Sequence, residues 1–379
     1  MKPSIYIGRR GLNIRSGAGQ MIASQARFFS RRDYAVTVCC NSLSRGSLDP
    51  FGHVKVIRSS RLWRLLVSRS RRRQAMVESI RELRAIDRGI LIDHEPCIAS
   101  AEISYVHNFL APEHANRIDG YMTRQQDLAS VWENAPARNL IITNSGMVKQ
   151  GLMHQFGLPD KRIEVIYPGY DPARFNLGVR SQYRENTRRR LGVDRNVPLI
   201  GLVMSGDPHK RGLDRFLNCV ERLKTAEPTL RALVLGARRC PDELKNHPLY
   251  RTGDIIFKHS TFVPEQYFAA LDILLLPARY EEFGIVALEG MAMGVPIVTS
   301  SAVGASEILP DVSTQYVIDA ADDTVDEFSR RANQLLQLDS AGRDELGQAL
   351  SYEAGRYTHE AHNDQLAGWV DSFADLNTI

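Results

Sequence analysis

Residues 272–299 read DILLLPARYEEFGIVALEGMAMGVPIVT. The apolar run at 273–276 has the length of a buried strand, and residues 296–299 have the same character. From about Gly284, the residues between these runs predict a helix, so the stretch predicts a strand–helix–strand unit. Units of this kind build parallel sheets, because each helix carries the chain back to the edge where the first strand began.

The same alternation extends over most of the chain. Short runs rich in β-branched residues alternate with segments whose apolar residues recur with helical spacing, which predicts an α/β fold. We predict strands at 5–7, 36–38, 54–57, 90–92, 103–106, 140–143, 163–166, 199–204, 231–235, 255–257, 273–276 and 296–299, and in the second half helices at 212–226, 264–271, 284–293 and 322–337.

The length of 379 residues suits two domains that each bury a core. We predict doubly wound, Rossmann-like domains at 1–170 and 199–358. Residues 171–198 carry many charges and little apolar periodicity, which predicts a linker. Residues 359–379 predict a final helix, for which packing back on the first domain is one option. Two such domains place a cleft at the carboxyl ends of their strands, where ligands of these folds bind.

The composition is that of a soluble globular protein, with 43% hydrophobic and 24% charged residues. No stretch approaches the roughly 18 apolar residues of a membrane-spanning helix. The N-terminus lacks the apolar core and cleavage site of a secretory signal. The five cysteines fit no zinc-binding spacing, so we expect free thiols in a reducing cytoplasm.

Two glutamates mark a candidate site in the second domain. The predicted helix start at Gly284 offers unpaired N–H groups and a partial positive charge, which suit a diphosphate. Glu281 lies just before this helix, and Glu289 lies more than one turn inside it, where a carboxylate can accept hydrogen bonds from sugar hydroxyls. A helix cap and a solvated helix residue are the ordinary alternatives. Glu289, however, interrupts an apolar helix, where an unpaired carboxylate is unfavourable.

This segment resembles the E-x7-E signature of the family-4 glycosyltransferases, with Glu281 and Glu289 at its ends. Phe283-Gly284 and the Gly-x-Pro at 294–296 belong to the same signature. Segments that resemble other parts of the family, in order and spacing, are 166–175, 203–214, 272–277 and 303–307.

The resemblance implies a GT-B fold, in which two Rossmann-like domains face each other across a cleft that holds a nucleotide sugar. Within the family, residues 210–215 and 284–286 resemble the lipopolysaccharide-core glucosyltransferases. The implied activity is transfer of a hexose from UDP-hexose or GDP-hexose, with retention of anomeric configuration.

The resemblance also implies a role for each residue of the donor site. Glu281 contacts the donor sugar, and Glu289 holds the ribose. Lys210 and Arg211 bind the diphosphate, although the family pattern ends Lys-Gly and this chain has Arg211 between Lys210 and Gly212. Arginine favours a bidentate phosphate contact and lysine a point charge. The remaining donor-site residues are Phe283, Gly284 and Ile285.

Two segments of the first domain complete the implied site. Gly17, Ala18 and Gly19 resemble the glycine-rich loop that faces the donor phosphates, and an ordinary strand-to-helix turn is the alternative. His107 follows the strand at 103–106, where the family has a histidine that contacts the donor sugar and shapes the reaction site. A structural histidine is the alternative for His107.

We expect neither a metal nor a cofactor. The sequence has no D-x-D pair and no convincing cluster of histidines with cysteines or carboxylates. Lys210, Arg211 and the helix start would neutralise the leaving diphosphate instead. The resemblance implies front-face transfer, in which the leaving phosphate takes the proton of the acceptor hydroxyl. Double displacement through a carboxylate on the opposite face stays open.

Charge is distributed unevenly along the chain. Residues 1–180 hold 27 lysines and arginines against 15 acidic residues, whereas residues 181–379 hold 21 against 29. Ten arginines fall within 58–88. This stretch suits an anionic membrane surface, and a solvated helix face is the alternative. Nucleic acid is not an expected partner, since no aromatic stacking platform accompanies the charge.

The sequence therefore favours a cytoplasmic hexosyltransferase, with peripheral binding to the inner face of the membrane as an option. Its acceptor would be a glycan or a lipid-linked molecule in bacterial envelope polysaccharide or lipopolysaccharide synthesis. The enzyme alternatives are a sugar-nucleotide epimerase and a phosphorylase. The non-enzyme alternative is a lipid- or nucleic-acid-binding protein with a degenerate sugar site.

Overall fold

The chain divides into two compact units, and the second unit is inserted between two parts of the first. The first unit comprises Met1–Gly169 and His359–Ile379, and the second comprises Tyr170–Thr358. Each has a parallel sheet accompanied by helices, as alternating strands and helices predict. The computed structural model describes residues 2–13, 16–43, 55–58, 69–109 and 121–376.

The helices and strands are named here in chain order. The strands are β1 (Ile5–Gly8), β2 (Gly11–Leu12), β3 (Val36–Cys40), β4 (Ser42–Leu43), β5 (Lys55–Arg58), β6 (Ile90–Asp93), β7 (Ile103–Val106), β8 (Leu140–Thr143), β9 (Ile163–Val165), β10 (Leu199–Val203), β11 (Arg231–Gly236), β12 (Ile255–His259), β13 (Ile273–Leu275), β14 (Ile297–Ser300) and β15 (Val317–Ile318). The helices are α1 (Gly17–Arg31), α2 (Arg69–Ile86), α3 (Tyr121–Glu133), α4 (Gly146–Phe156), α5 (Leu177–Leu191), α6 (Leu213–Ala226), α7 (Asp242–Lys245), α8 (Pro248–Arg251), α9 (Pro264–Ala270), α10 (Ile285–Ala292), α11 (Val325–Leu336), α12 (Ser340–Ala354) and α13 (His359–Leu376).

The sheet of the first unit has the strand order β5-β3-β1-β6-β7-β8-β9, and its paired strands are parallel. Every residue of β1, β6, β7 and β8 is buried, because helices cover both faces of such sheets. The C-terminal helix α13 adds Leu366, Val370 and Phe373 to the core that also contains Ile22 and Phe29 of α1. Burial of each such side chain contributes about 1.5–3 kcal/mol, so α13 is part of the first unit.

The sheet of the second unit has the strand order β12-β11-β10-β13-β14-β15, again with parallel pairs. Its central strands are mostly apolar, and nearly all of their residues are buried. Helix α10 connects β13 to β14, as the repeated strand–helix–strand pattern predicts. The chain leaves α10 through Gly294, whose positive φ of 63° lets it turn directly into β14.

Residues 171–198, which the sequence predicts to be a linker, instead belong to the second unit and contain α5. The prediction is wrong because the arginines of this segment are structural. Arg184 forms an ion pair with Asp272, and Arg188 donates hydrogen bonds to Asp272 (3.1 Å) and to the carbonyl oxygen of Ala270 (2.8 Å). These bonds attach α5 to the end of α9 and the start of β13. The arginines that suggested a solvated linker thus serve as hydrogen-bond donors to carbonyl groups at the end of α9.

The cysteines form no disulfide bonds among the described residues. All five cysteines are free thiols, three of them buried. Within the described ranges, no helix is both long and apolar enough to cross a membrane.

Candidate functional site

A cavity in the second unit lies where three loops meet. Glycine makes this meeting possible at Gly212, which has φ of 71° and starts α6. A Cβ atom at this position would overlap the carbonyl oxygen of Pro277, so only glycine allows the two loops to approach. The lining residues are Leu202, Val203, Met204, Ser205, Arg211, Leu276, Ala278, Glu281, Gly284, Ile285, Val286 and Val303.

The amino terminus of α10 forms one wall of this cavity. Gly284 is the residue before the helix, has φ of 88° and provides no side-chain cap. Gly284, Ile285 and Val286 all line the cavity. The start of an α-helix carries unpaired N–H groups and about half a positive charge. This wall therefore suits an anionic group such as a phosphate.

Arg211 and Glu281 form an ion pair at the cavity. The Arg211 guanidinium also donates to the carbonyl oxygen of Ser205 (3.0 Å). Burial lowers the pKa of Arg211, while the carboxylates of Glu282 and Asp207 act in the opposite direction. Arg211 therefore places a cation at the cavity and benefits from an anionic partner.

Lys210 is bound to a different acid, Glu282, which sequence reasoning missed. Its ammonium group donates to both carboxylate oxygens of Glu282, at 3.0 and 2.8 Å. Glu282 is only 5% exposed, and Lys210 is not among the residues that line the cavity. The sequence contained the components of this pair, because it has two adjacent basic residues, Lys210 and Arg211, and two adjacent acids, Glu281 and Glu282. The sequence did not say which acid each would take.

Phe283 and Glu289 also lie outside the lining of this cavity. Phe283 is buried, and its carbonyl oxygen accepts a hydrogen bond from the amide of Ala305 (2.7 Å). This bond ties the loop before α10 to the turn after β14. Phe283 is thus placed to support the loop, whereas its neighbours Gly284 and Ile285 reach the cavity.

Glu289 is a buried carboxyl group without a hydrogen-bonding partner among the described residues. It is 8% exposed, and burial raises its pKa to about 8. Among neighbouring charges, Arg174 lowers this pKa and Glu265 raises it. Arg174 and Glu265 are bound to each other at 2.6 Å. The prediction that Glu289 is an acid within a packed helix is confirmed, and the chemistry at this point favours a hydroxyl-bearing ligand.

In the first unit, Gly17, Ala18 and Gly19 form the first turn of α1 and not a loop before it. Ser16 caps this helix, and its Oγ accepts a hydrogen bond from the amide of Gly19 (3.1 Å). Residues 14 and 15 lie outside the described residues. The segment is therefore a helix start, which is itself a setting that favours anions.

His107 follows β7, as predicted, and joins a cluster of aromatic rings. Its Nε2 lies 2.7 Å from Nδ1 of His94. The ring is nearly parallel to those of His94 and Tyr105, at interplanar angles of 13° and 12°, with centroids 5.0 and 5.3 Å away. Burial, Arg9 and His362 all hold the pKa of His107 well below its usual value. His107 is therefore neutral near neutral pH. Sequence reasoning missed His362, because it lies more than 250 residues away.

The basic stretch 58–88 is only partly a surface feature. Arg84 of α2 is bound to the buried Glu102 (2.6 Å) and donates to the carbonyl oxygen of Ser100 (2.9 Å). Met76 and Ile80 of the same helix pack into the first unit. Residues 59–68 lie outside the described residues. In the described ranges, no group of three or more histidines, cysteines or acids could hold a metal ion.

Comparison with known families places this geometry in context. A family model described as Glycosyl transferases group 1 matches residues 198–338, which contain the cavity. A second, described as Glycosyltransferase Family 4, matches residues 15–174. The chain belongs to the family-4 glycosyltransferases.

Two solved structures share the fold of this glycosyltransferase. Anabaena HepE, in complex with UDP and glucose, has 17% sequence identity and a TM-score of 0.74, and the match covers 98% of this chain and 100% of HepE. WaaG, described as a glycosyltransferase involved in lipopolysaccharide biosynthesis, has 15% identity and a TM-score of 0.70, with 98% and 99% covered. The prediction of a GT-B fold with two Rossmann-like domains is confirmed.

The similarity in sequence is shorter. An uncharacterised glycosyltransferase of Methanocaldococcus jannaschii is 28% identical over 177 residues, which is 45% of this glycosyltransferase and 44% of the relative. The chain spans about half the length of the curated relatives that it matches.

Proposed function

We propose that this glycosyltransferase takes a hexose from UDP-hexose or GDP-hexose and transfers it to a hydroxyl group of a glycan or glycolipid. The observation that carries the proposal is the cavity at the start of α10, where Arg211 and Glu281 lie side by side. A cation beside a helix start suits a diphosphate, and an adjacent carboxylate suits sugar hydroxyls. The solved complex of HepE with UDP and glucose supports the same class of donor.

In this proposal, donor binding exchanges the ion pair. The donor diphosphate takes the Arg211 guanidinium, for which bidentate contacts to phosphate are favourable. Glu281 is then released to accept hydrogen bonds from the hexose. Lys210 remains bound to Glu282, and its charge adds to the positive potential beside Arg211. Arg211 is therefore the proposed main phosphate contact, and Lys210 is the supporting cation.

Glu289 is the proposed contact of the donor ribose. Its carboxyl group has no bond to any described residue, and burial raises its pKa to about 8. Two ribose hydroxyls would supply the missing hydrogen bonds of this acid. Gly17, Ala18 and Gly19, at the start of α1, are proposed to meet the same donor phosphates.

The proposed reaction retains the anomeric configuration and uses neither a metal nor a further cofactor. Arg211, Lys210 and the helix start stabilise the negative charge that develops on the leaving diphosphate. The acceptor oxygen forms its bond to the anomeric carbon on the face from which the phosphate oxygen departs. The proton of the acceptor hydroxyl passes to the departing phosphate oxygen, so no protein base is required.

Bacterial envelope polysaccharide or lipopolysaccharide is the proposed destination of the hexose, in line with the fold that the chain shares with WaaG. The arginines of 58–88 are proposed to hold the enzyme against an anionic membrane on its cytoplasmic face. Each basic group near such a surface contributes about 1 kcal/mol. A lipid-linked acceptor would then be within reach of the first unit.

Calorimetry with UDP-, GDP- and ADP-glucose tests the donor assignment, followed by product analysis. We expect binding of a UDP- or GDP-sugar that is unaffected by EDTA and is weakened about 100-fold in Arg211→Ala, because charged hydrogen bonds contribute about 1.5–3 kcal/mol. Failure of all three nucleotides to bind would overturn the proposal. Conversion of the donor to an epimer without acceptor would support the epimerase alternative. Inversion at the anomeric carbon would exclude the retaining mechanism.

A further inference from the structure

A chain of hydrogen bonds connects the C-terminal helix to His107. His362 of α13 has its Nδ1 2.8 Å from the carbonyl oxygen of Tyr167. Its Nε2 lies 3.3 Å from the side-chain nitrogen of Gln25. The side-chain oxygen of Gln25 is 2.8 Å from Nε2 of His94, and Nδ1 of His94 is 2.7 Å from Nε2 of His107. Residues from five separate parts of the sequence thus form one continuous path.

The direction of the first bonds follows from elementary chemistry. A carbonyl oxygen only accepts, so Nδ1 of His362 carries a proton. Burial lowers the pKa of His362 to about 4, so the ring is neutral and its Nε2 must accept. Gln25 therefore turns its NH₂ group towards His362, because the opposite orientation would place two acceptors together. The hydroxyl of Tyr105 lies 2.9 Å from the same Nε2 and shares its single lone pair with the NH₂ group of Gln25.

The remaining bonds follow in the same direction. The side-chain oxygen of Gln25 can only accept, so Nε2 of His94 carries its proton. Burial and the neighbouring His107 keep the pKa of His94 well below its usual value, so this ring is also neutral. Nδ1 of His94 therefore accepts, and Nε2 of His107 donates to it. Because stacking holds the rings of His94 and Tyr105 within 5° of parallel, ring rotation is restricted.

We propose that His362 and Gln25 are positioning residues that fix His107 as its Nε2–H tautomer and leave Nδ1 as a hydrogen-bond acceptor. No described residue hydrogen-bonds this Nδ1. A fixed, neutral acceptor recognises a hydroxyl and disfavours a phosphate oxygen, which is also an acceptor. If the proposed function is correct, His107 thus recognises a hydroxyl group of the donor hexose or of the acceptor, and not the diphosphate.

The tautomer can be measured without any substrate, by two-bond ¹H–¹⁵N correlation spectra of the full chain labelled with ¹⁵N-histidine. The resonances of His107 are assigned by their loss in His107→Gln. In the wild type we expect a protonated Nε2 and an unprotonated Nδ1. In His362→Leu and in Gln25→Leu we expect loss of this single tautomer and a pair of averaged nitrogen shifts.

Tyr105→Phe is the matched control. It removes a bond to the same Nε2 of His362, but the path from Tyr167 to His107 stays intact, so the tautomer of His107 should not change. His154→Gln replaces an exposed histidine and is a second control, in which the tautomer of His107 should also stay unchanged. The inference is overturned if the wild type has a protonated Nδ1, or if His107 keeps one tautomer in both leucine variants. If a leucine variant does not fold, the wild-type tautomer and the other variant still decide the matter.

Measurements of ligand binding distinguish this inference from the proposed function. In folded His362→Leu we expect weaker binding of the nucleotide sugar with unchanged affinity for the nucleoside diphosphate alone. A change in tautomer with no effect on sugar binding would support the hydrogen-bond chain and refute the assigned role of His107. Weaker sugar binding with no change in the tautomer of His107 would refute the hydrogen-bond chain.

Discussion

The ammonium group of Lys210 lies 2.8 Å from Oε2 of Glu282, which is almost fully buried. Removing one member of a buried pair leaves an uncompensated charge. We therefore expect Lys210→Met to lower the free energy of unfolding by about 3 kcal/mol. Urea denaturation measures this change. The double variant Lys210→Met with Glu282→Gln should recover part of the loss, because no buried charge then stands alone.

Lys245→Met is the control for this prediction, since Lys245 binds the exposed Asp242 at 3.0 Å. Surface pairs of this kind contribute about 0–1 kcal/mol. Equal losses in Lys210→Met and Lys245→Met would show that Glu282 does not depend on Lys210 for its charge balance.

Gly212 should tolerate no side chain. Gly212→Ala adds the strain of a positive φ, which is about 1–2 kcal/mol, and an overlap with the carbonyl oxygen of Pro277. Gly253 has a similar φ of 81°, but a Cβ atom there meets nothing. We expect Gly253→Ala to show the strain alone, and Gly212→Ala to lose more stability and weaken nucleotide binding. Denaturation and calorimetry on both variants measure these effects. Similar stability in the two would mean that the loops move apart freely.

The sequence predicted the strands and helices around the cavity well, because local apolar spacing determines them. The helix predicted at 284–293 is found at Ile285–Ala292, and that predicted at 212–226 at Leu213–Ala226. The burial of Glu289 was also predictable, since its helix neighbours are apolar.

Other features depended on contacts between distant residues. Helix α5 was mistaken for a linker, because its arginines bind carbonyl groups that are far away in sequence. The sequence placed two bases beside two acids without indicating that Lys210 would bind Glu282 and Arg211 would bind Glu281. The residues that the hydrogen-bond chain links to His107 likewise come from α1, from the end of β6 and from α13. Spacing along the chain carries little information about such pairings.

The proposed membrane binding would depend on the basic segment 58–88, and vesicle sedimentation tests it. Replacing Arg69, Arg71, Arg72 and Arg73 with glutamine removes four charges, which near an anionic surface contribute about 1 kcal/mol each. We expect binding to vesicles with anionic lipid to fall at least 100-fold, and binding to neutral vesicles to stay low. The control replaces Arg189, Arg190 and Arg195, which are exposed in the second unit. Unchanged binding in the first variant would remove the membrane from the proposed partners.

Glu289 should make stability depend on pH. Its pKa is raised from 4.5 to about 8 by burial, so the folded chain keeps this proton over a range in which the unfolded chain has lost it. The unfolded state then binds fewer protons, and the free energy of unfolding falls as pH rises from 4.5 to 8. Each pKa unit corresponds to about 1.4 kcal/mol, so the fall from this group is roughly 4 kcal/mol.

Glu289→Gln removes that proton equilibrium and keeps the size of the side chain. Arg174 and Glu265 face Glu289 in both proteins, so the difference between wild type and variant isolates the one carboxyl group. We expect the variant to be more stable than the wild type at pH 8 by a larger margin than at pH 5, as measured by urea denaturation at both values. The exposed Glu243→Gln serves as control and should change the free energy of unfolding by the same amount at pH 5 and at pH 8. A constant difference between wild type and Glu289→Gln from pH 5 to pH 8 would mean that Glu289 is ionised in the folded chain, and hence that a cation or water reaches it.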